Sequence, residues 1–156
     1  MAARTKLLEI AGPSQSAPDT TFTFTITGTF AAGSLVRFEF RHESGTSVTL
    51  TVSDTAGGSN YTVRNQAAHQ NPSAYVCYKH NHPGGTDLVV TVALSASRGY
   101  REAWGEVVSG QVGELDPRTG TDGEDTDTGG PMSCTVVGAS GDCDVFMAVV
   151  SYSGST

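Results

Sequence analysis

Hydrophobic and polar positions alternate along most of the chain up to residue 109. Between residues 20 and 29 the apolar residues Phe22, Phe24 and Ile26 are separated by threonines. A period of two places the apolar side chains on one face of a strand and the polar ones on the other. The alternation returns in residues 35–41, 48–52, 74–79, 88–94 and 99–109, with a short strand predicted at 61–63. The pattern therefore predicts a succession of half-buried strands.

Turn residues punctuate these predicted strands. Residues 53–60 and 81–85 are dense in Gly, Ser, Asn, Asp or Pro, which favour tight turns. Residues 145–152 are almost wholly apolar, which is typical of a central strand covered on both faces. No segment has a helical period. We therefore predict an all-β protein, formed by a single antiparallel β-sandwich or jelly-roll-like domain of about eight strands.

Two segments fall outside the strand pattern. Residues 1–19 are largely polar and contain Pro13 and Pro18, which predicts an N-terminal arm ahead of a sandwich domain at residues 20–156. Such an arm would suit contact with a neighbouring molecule, becoming ordered on assembly. Residues 113–131 are acidic and rich in Gly and Thr, which predicts a long exposed loop within that domain.

The charge of the chain excludes one class of partner. Nine basic residues face sixteen acidic ones, for a formal net charge of −7, whereas nucleic-acid binding needs a basic face that releases counterions from phosphate. No apolar run reaches the roughly 18–20 residues that cross a bilayer, so we expect no membrane partner. Arg4 and Lys6 are not followed by an apolar segment, so we also expect no signal peptide.

The cysteines leave two alternatives open. Cys134 and Cys143 bracket a short segment that contains Gly138 and Gly141 and could close as a hairpin loop. A disulfide there requires Cα atoms within about 7 Å, and it would leave Cys77 free. The alternative is three reduced thiols, as expected of a protein made in a reducing cytoplasm.

Two groups of potential metal ligands are weak candidates. Cys77, His80 and His82 carry thiol and imidazole groups of the kind zinc prefers, but a structural site needs four ligands and no matching pair lies nearby. The acidic loop offers oxygen ligands for calcium without the spacing of an EF-hand. Those acidic residues are Asp122, Glu124, Asp125 and Asp127. We expect neither a metal nor another cofactor.

The segment 99–109 carries the candidate contact face. Tyr100, Glu102 and Trp104 share one side of the predicted strand, and with His80 and His82 they could form a platform on which a sugar ring stacks. The alternative, which the residues favour, places both aromatic rings in the core or at a subunit contact.

Catalysis is not expected of this chain. Glu102 and Glu106 would lie about 13 Å apart on one strand, farther than the roughly 5–9.5 Å of glycosidase carboxylate pairs. The sequence also has neither a nucleophile-elbow nor a phosphate-loop motif. We therefore predict a protein that acts by contacts.

Five segments in order resemble a β-sandwich module of phage and bacterial proteins. The module occurs in phage head-decoration, tail and fibre proteins and in bacterial surface proteins, and the resemblance brings no catalytic residues. It implies a structural or adhesive role. The segments are residues 32–36, 52–62, 75–79, 84–92 and 144–150.

The resemblance, together with the lack of a visible signal peptide, implies a virion structural protein, most of all a capsid decoration protein, made in the host cytoplasm and placed on the virion surface. Its expected partners are copies of itself and a major capsid or tail protein. The alternative is a glycan- or receptor-binding module of a tail fibre or a bacterial cell surface.

Overall fold

A computed structural model describes residues 5–43, 48–58, 60–67 and 73–109 of the chain. These residues form seven strands, which confirms the all-β class. The described residues include no helix of the length and apolarity needed to span a membrane. The strands are β1 (Thr5–Ala11), β2 (Asp19–Phe30), β3 (Ser34–Glu43), β4 (Leu50–Asp54), β5 (Thr62–Ala67), β6 (Ser73–His82) and β7 (Gly85–Ser109).

The long strand β7 organises every other strand. Its first half lies between β2 and β4, and its second half lies between β1 and β3. Strand β3 continues to β6, and β6 continues to β5, with all pairings antiparallel. We call β2, β4 and the first half of β7 the three-stranded part, and the remaining strands with the second half of β7 the five-stranded part. The jelly-roll-like strand order stays a prediction.

The core forms where the inner faces of these two parts pack together. The rings of Phe22 and Phe40 lie 5.5 Å apart, and those of Phe24 and Phe38 lie 5.1 Å apart and edge to face. These pairs join β2 to β3, strands that share no backbone ladder, so the contacts run between the parts. Edge-to-face rings at such distances add to the stabilisation from apolar burial.

The inward side of β7 changes parity along the strand. In the first half the buried residues have even numbers, from Leu88 to Leu94, while in the second half Arg101, Ala103 and Val107 are buried, followed by Val108 near the end of the strand. Tyr100 lies between the two halves with φ of +27°, a value that non-glycine residues rarely adopt. The register with β3 also shifts here. One irregular residue therefore reverses the facing of the second half.

Gly105 permits a close approach between β7 and β3. A Cβ at this position would overlap the carbonyl oxygen of Arg37 and the Cα of Phe38. Any larger residue would push the two strands apart, so the sequence needs glycine at this point of the sheet.

The N-terminal segment differs from the expected arm. Thr5–Ala11 is strand β1, paired with β7, and Gln15 exchanges backbone hydrogen bonds with Arg101. The buried Arg101 guanidinium also donates to the carbonyl of Ala17. Because Ile10 is the only fully buried residue of β1, alternation there is too weak to predict a strand.

The predicted break between two of the strands is absent from the structure. The segments 88–94 and 99–109 were expected to be separate strands, but they are the two halves of the 25-residue β7. The expected loop at 113–131, the strand at 145–152 and the pair Cys134 and Cys143 lie outside the described residues.

Candidate contact face and buried ionic cluster

The outer face of the five-stranded part brings together the aromatic residues predicted from the sequence. Arg41 of β3 lies between two rings of β7, with its guanidinium carbon 5.6 Å from the ring centre of Tyr100 and 5.2 Å from that of Trp104. Both aromatic residues are half-buried on this outer face rather than in the core, and their expected alternative place at a subunit contact stays a prediction. Cation–π attraction of this kind holds an arginine over a ring.

Carboxylates of β7 pair with the arginines of β3 on the same face. Glu102 lies opposite Arg41 and forms an ion pair with it, and Glu106 lies opposite Arg37 and does the same. The Tyr100 hydroxyl donates to Glu102 at 3.2 Å. The ion pairs fix the arginines across the strands, so Arg41 covers one side of each aromatic ring.

Glu39 sits at the middle of this face and differs from its neighbours. It lies opposite Trp104 on one side and Val76 on the other, and it is only 7% exposed. Among the described residues its carboxylate has no hydrogen bond or ion pair. Burial raises the pKa of Glu39 to about 7, because the charged carboxylate loses its hydration without gaining a partner.

The two histidines expected beside the aromatic residues lie elsewhere. His82 is opposite Ser34, whereas Glu102 is opposite Arg41, seven residues farther along β3. At about 3.3 Å per residue this separation is roughly 23 Å. His80 is half-buried, and His82 is fully buried. The structure therefore does not bring His82 to the face that carries Tyr100 and Trp104.

His82 belongs to a buried ionic cluster that bridges the two parts of the fold. Asp54, at the end of β4, accepts hydrogen bonds from Lys79 Nζ at 3.1 Å and from His82 Nε2 at 2.9 Å. All three side chains are at most 4% exposed. Lys79 also donates to the carbonyl of Gly57 and lies 5.3 Å from the ring centre of Tyr61. A cation this deep needs such partners to offset its lost hydration.

The hydrogen bonds of His82 define its tautomer. The backbone N–H of Gly84 donates to Nδ1, so the ring proton is on Nε2, facing Asp54. A second proton on Nδ1 would face the Gly84 N–H. Burial lowers the pKa of His82, and the bond to Asp54 opposes that effect only in part.

The carboxylate of Asp54 stays charged although it is buried. Burial on its own would raise the pKa of Asp54, but the hydrogen bonds from His82 and Lys79 outweigh it and hold the pKa below its ordinary value.

Cys77 lies in the core, and burial raises the pKa of its thiol, which makes it a packing residue rather than a reactive one. With both His82 nitrogens engaged, the three-residue zinc grouping is not assembled.

Sequence reasoning missed Arg41, Glu39, Asp54 and Lys79. Alternating charges on residues 37–41, facing those on residues 102–106, indicate the paired face once the register is known. No sequence signal marks Asp54, which occurs in a segment of ordinary turn residues.

Comparison of the chain with protein-family models, with curated proteins and with solved structures found no match.

Replacing Asp54 tests the buried cluster. Asp54→Asn leaves the Lys79 ammonium buried without a counter-charge, so we expect the free energy of unfolding to fall by about 3–5 kcal/mol. Urea unfolding at pH 7 measures the change. Adding Lys79→Met to Asp54→Asn removes the orphaned charge and should restore about half of the loss. An additive double variant would contradict the coupling.

Glu39 predicts a pH-dependent stability. Its folded-state pKa of about 7 lies above the ordinary 4.5, so the folded protein binds more protons in this range and stability falls as pH rises from 4.5 through 7. Glu39→Gln should therefore stabilise the protein by about 2–3 kcal/mol at pH 8 and by little at pH 4. Urea unfolding at both pH values measures this. The control Glu102→Gln, on a paired carboxylate, should give no gain at pH 8.

Proposed function

We propose that this chain is a non-enzymatic virion structural protein: a jelly-roll-like decoration protein that attaches to a phage head through contacts with its own copies and with the shell. Its place would be the virion surface, and its partners would be identical copies and a major capsid protein. It acts by adhesion, in which symmetric repetition multiplies individually weak contacts.

The burial of Asp54 and His82 is the observation that carries the proposal. A carboxylate bonded to an imidazole is the arrangement that hydrolases use to activate a nucleophile. Here both side chains are fully buried, and the second imidazole nitrogen accepts from the Gly84 backbone rather than facing a nucleophile. The Asp54–His82 pair therefore stabilises the fold and is not placed for catalysis. The exposed side chains lie on sheet faces, which are suited to contact with other molecules.

The segments that resemble the phage and bacterial β-sandwich module support the proposed function by their positions in the fold. Residues 32–36 lead into β3, residues 52–62 span the turn between β4 and β5, and residues 84–92 open β7. Residues 75–79 lie within β6, beside β3. Four of the five segments that resemble phage and bacterial modules thus supply strands and turns of the described part of the chain, and residues 144–150 lie outside it.

Particle composition tests this function. Particles sedimented from a lysate of cells that make the full-length protein should contain it at a fixed ratio to a major shell protein, as measured by quantitative mass spectrometry. The ratio should persist after a wash at high salt, because contacts across sheet faces depend little on screened surface charge. Absence of the protein from every particle fraction would contradict the proposal.

A glycan-binding module is the second candidate, favoured by the half-buried Tyr100 and Trp104 on one face. Glu102 and Arg41 lie between them, and carboxylate and guanidinium groups beside aromatic rings are suited to sugar hydroxyls and apolar ring faces. The candidate site consists of Arg41, Tyr100, Glu102 and Trp104, without His80 or His82.

Trp104→Ala tests this second candidate. If the face stacks on a sugar, binding to an array of bacterial surface glycans should be saturable, and the variant should weaken it about tenfold or more. Tyr100→Phe, which removes only a hydroxyl group, is the matched control and should lose less. Saturable binding that Trp104→Ala leaves unchanged would exclude this face.

A further inference from the structure

The buried ionic cluster places an amine and a proton donor against one carboxyl group. Lys79 Nζ and His82 Nε2 both donate to the same oxygen of Asp54, Oδ2, at 3.1 Å and 2.9 Å. The other oxygen, Oδ1, accepts a hydrogen bond from the backbone N–H of Ala56 at 2.9 Å. Each oxygen of the carboxyl group therefore has its own donors, and the nitrogen of Lys79 lies next to that group.

This arrangement contains the groups that acyl transfer to an amine requires. When an amine attacks a carboxyl carbon, negative charge develops on one oxygen and the other oxygen must be protonated to leave. The Ala56 N–H is placed to stabilise the charge on Oδ1, and the Nε2–H of His82 is placed to protonate Oδ2. Because folding already holds Lys79 against Asp54, the entropy of bringing the reacting groups together is lost before the reaction.

Burial favours an amide over an ion pair at this position. The side chains of Asp54, Lys79 and His82 are at most 4% exposed. The ring of Tyr61 lies 5.3 Å from Lys79 Nζ, and the ring of Phe30 lies 5.1 Å from that of His82. Two charges held away from water in this way carry a large desolvation cost. A neutral amide carries none of the charge, and water that would hydrolyse it has little access.

We propose that Asp54 and Lys79 become joined by an amide bond, which the folded chain forms by itself with His82 as the proton donor. Nζ bonds to Cγ of Asp54, the bond from Cγ to Oδ2 breaks, and Oδ2 leaves as water. Of the three protons on Nζ, one stays in the amide and two leave with Oδ2. One of these two passes through His82, which gives its Nε2 proton to Oδ2 and regains one from Nζ.

The reaction balances without any further reactant. A carboxylate and an ammonium group together contain all the atoms of one amide and one water, so neither an oxidant nor an activating group is consumed. Nδ1 of His82 keeps its hydrogen bond from Gly84 throughout. The bond forms once in each chain and has no external substrate, so the inference goes beyond the proposed function and does not depend on it.

The amide bond ties the two parts of the fold together covalently. Asp54 ends β4 in the three-stranded part, and Lys79 lies on β6 in the five-stranded part. The two residues are 25 positions apart in the chain, so the bond closes a loop. A closed loop restricts the unfolded chain in the way that a disulfide does, and it does so without cysteine.

The mass of the full-length protein, measured under denaturing conditions, tests the proposal. The chain should be lighter than its sequence by one water. Trypsin does not cleave after an acylated lysine, so a digest should contain residues 42–64 attached to residues 65–98. Lys79→Arg, which keeps a cation beside Asp54, should have its full mass. A wild-type chain of full mass, or a water lost within a single unbranched peptide, overturns the proposal.

The ion pair of Lys6 and Glu9 is the matched control within the same molecule. Its nitrogen and oxygen lie 3.2 Å apart, much as in the buried pair, but both side chains are exposed. The digest should contain no link between these two residues. An equal amount of link at Lys6 and at Lys79 would overturn the part of the proposal that assigns the reaction to the buried cluster.

His82→Gln tests the proton donor. The mass of the chain is followed over time after cell-free synthesis, and circular dichroism establishes that the variant folds. Loss of water should be about a hundredfold slower or more, as is usual when a general acid is removed. An unchanged rate in the folded variant overturns the role of His82. If the variant does not fold, the branched peptide of the wild-type chain still decides whether the bond exists.

Discussion

The buried carboxylate of Asp54 is the constraint on which the arrangement of the two parts depends. It ends β4 in the three-stranded part and accepts from Lys79 and His82, both on β6 in the five-stranded part. Apolar packing between the parts tolerates small shifts, but a buried cation does not tolerate loss of its partner. The cluster therefore fixes how the parts sit on each other. It also fixes the turn at Gly84, whose N–H donates to the same His82 ring.

With the interior fixed in this way, the molecule presents two outer faces of different chemistry. One carries arginine and glutamate pairs across β3 and β7, with aromatic rings held by Arg41. The outer face of the three-stranded part is built mainly of hydroxyl and small apolar groups, such as Thr23, Thr91 and Ser53. Paired charges satisfy one another, whereas a hydroxyl group can both donate and accept a hydrogen bond. The two outer faces thus differ in chemistry, because one carries paired charges and the other carries mainly hydroxyl groups.

Sequence alternation predicted the strands whose one face is wholly apolar, such as β2 with Phe22, Phe24 and Ile26. It missed β1, where Ile10 alone is fully buried, and it divided β7 because residues 95–98 lack an inward apolar pattern. The shared side of Tyr100, Glu102 and Trp104 follows from a period of two. The distance from His80 and His82 does not, since it depends on the register of β3 against both neighbours. The burial of Asp54 and Lys79 likewise depends on how the two parts meet.

The irregular residue Tyr100 determines which residues of β7 face the core on either side of it. Before it, even-numbered side chains face the core, and from Arg101 to Val107 odd-numbered ones do. Losing or gaining one residue between the halves would turn Glu102 and Trp104 inward and expose Ala103 and Val107. Length changes in this stretch are thus tolerable only in steps of two, unless the irregularity is lost or duplicated with them. Over evolution, the side chains of this stretch can therefore vary, while the number of residues between the two halves of β7 stays constant.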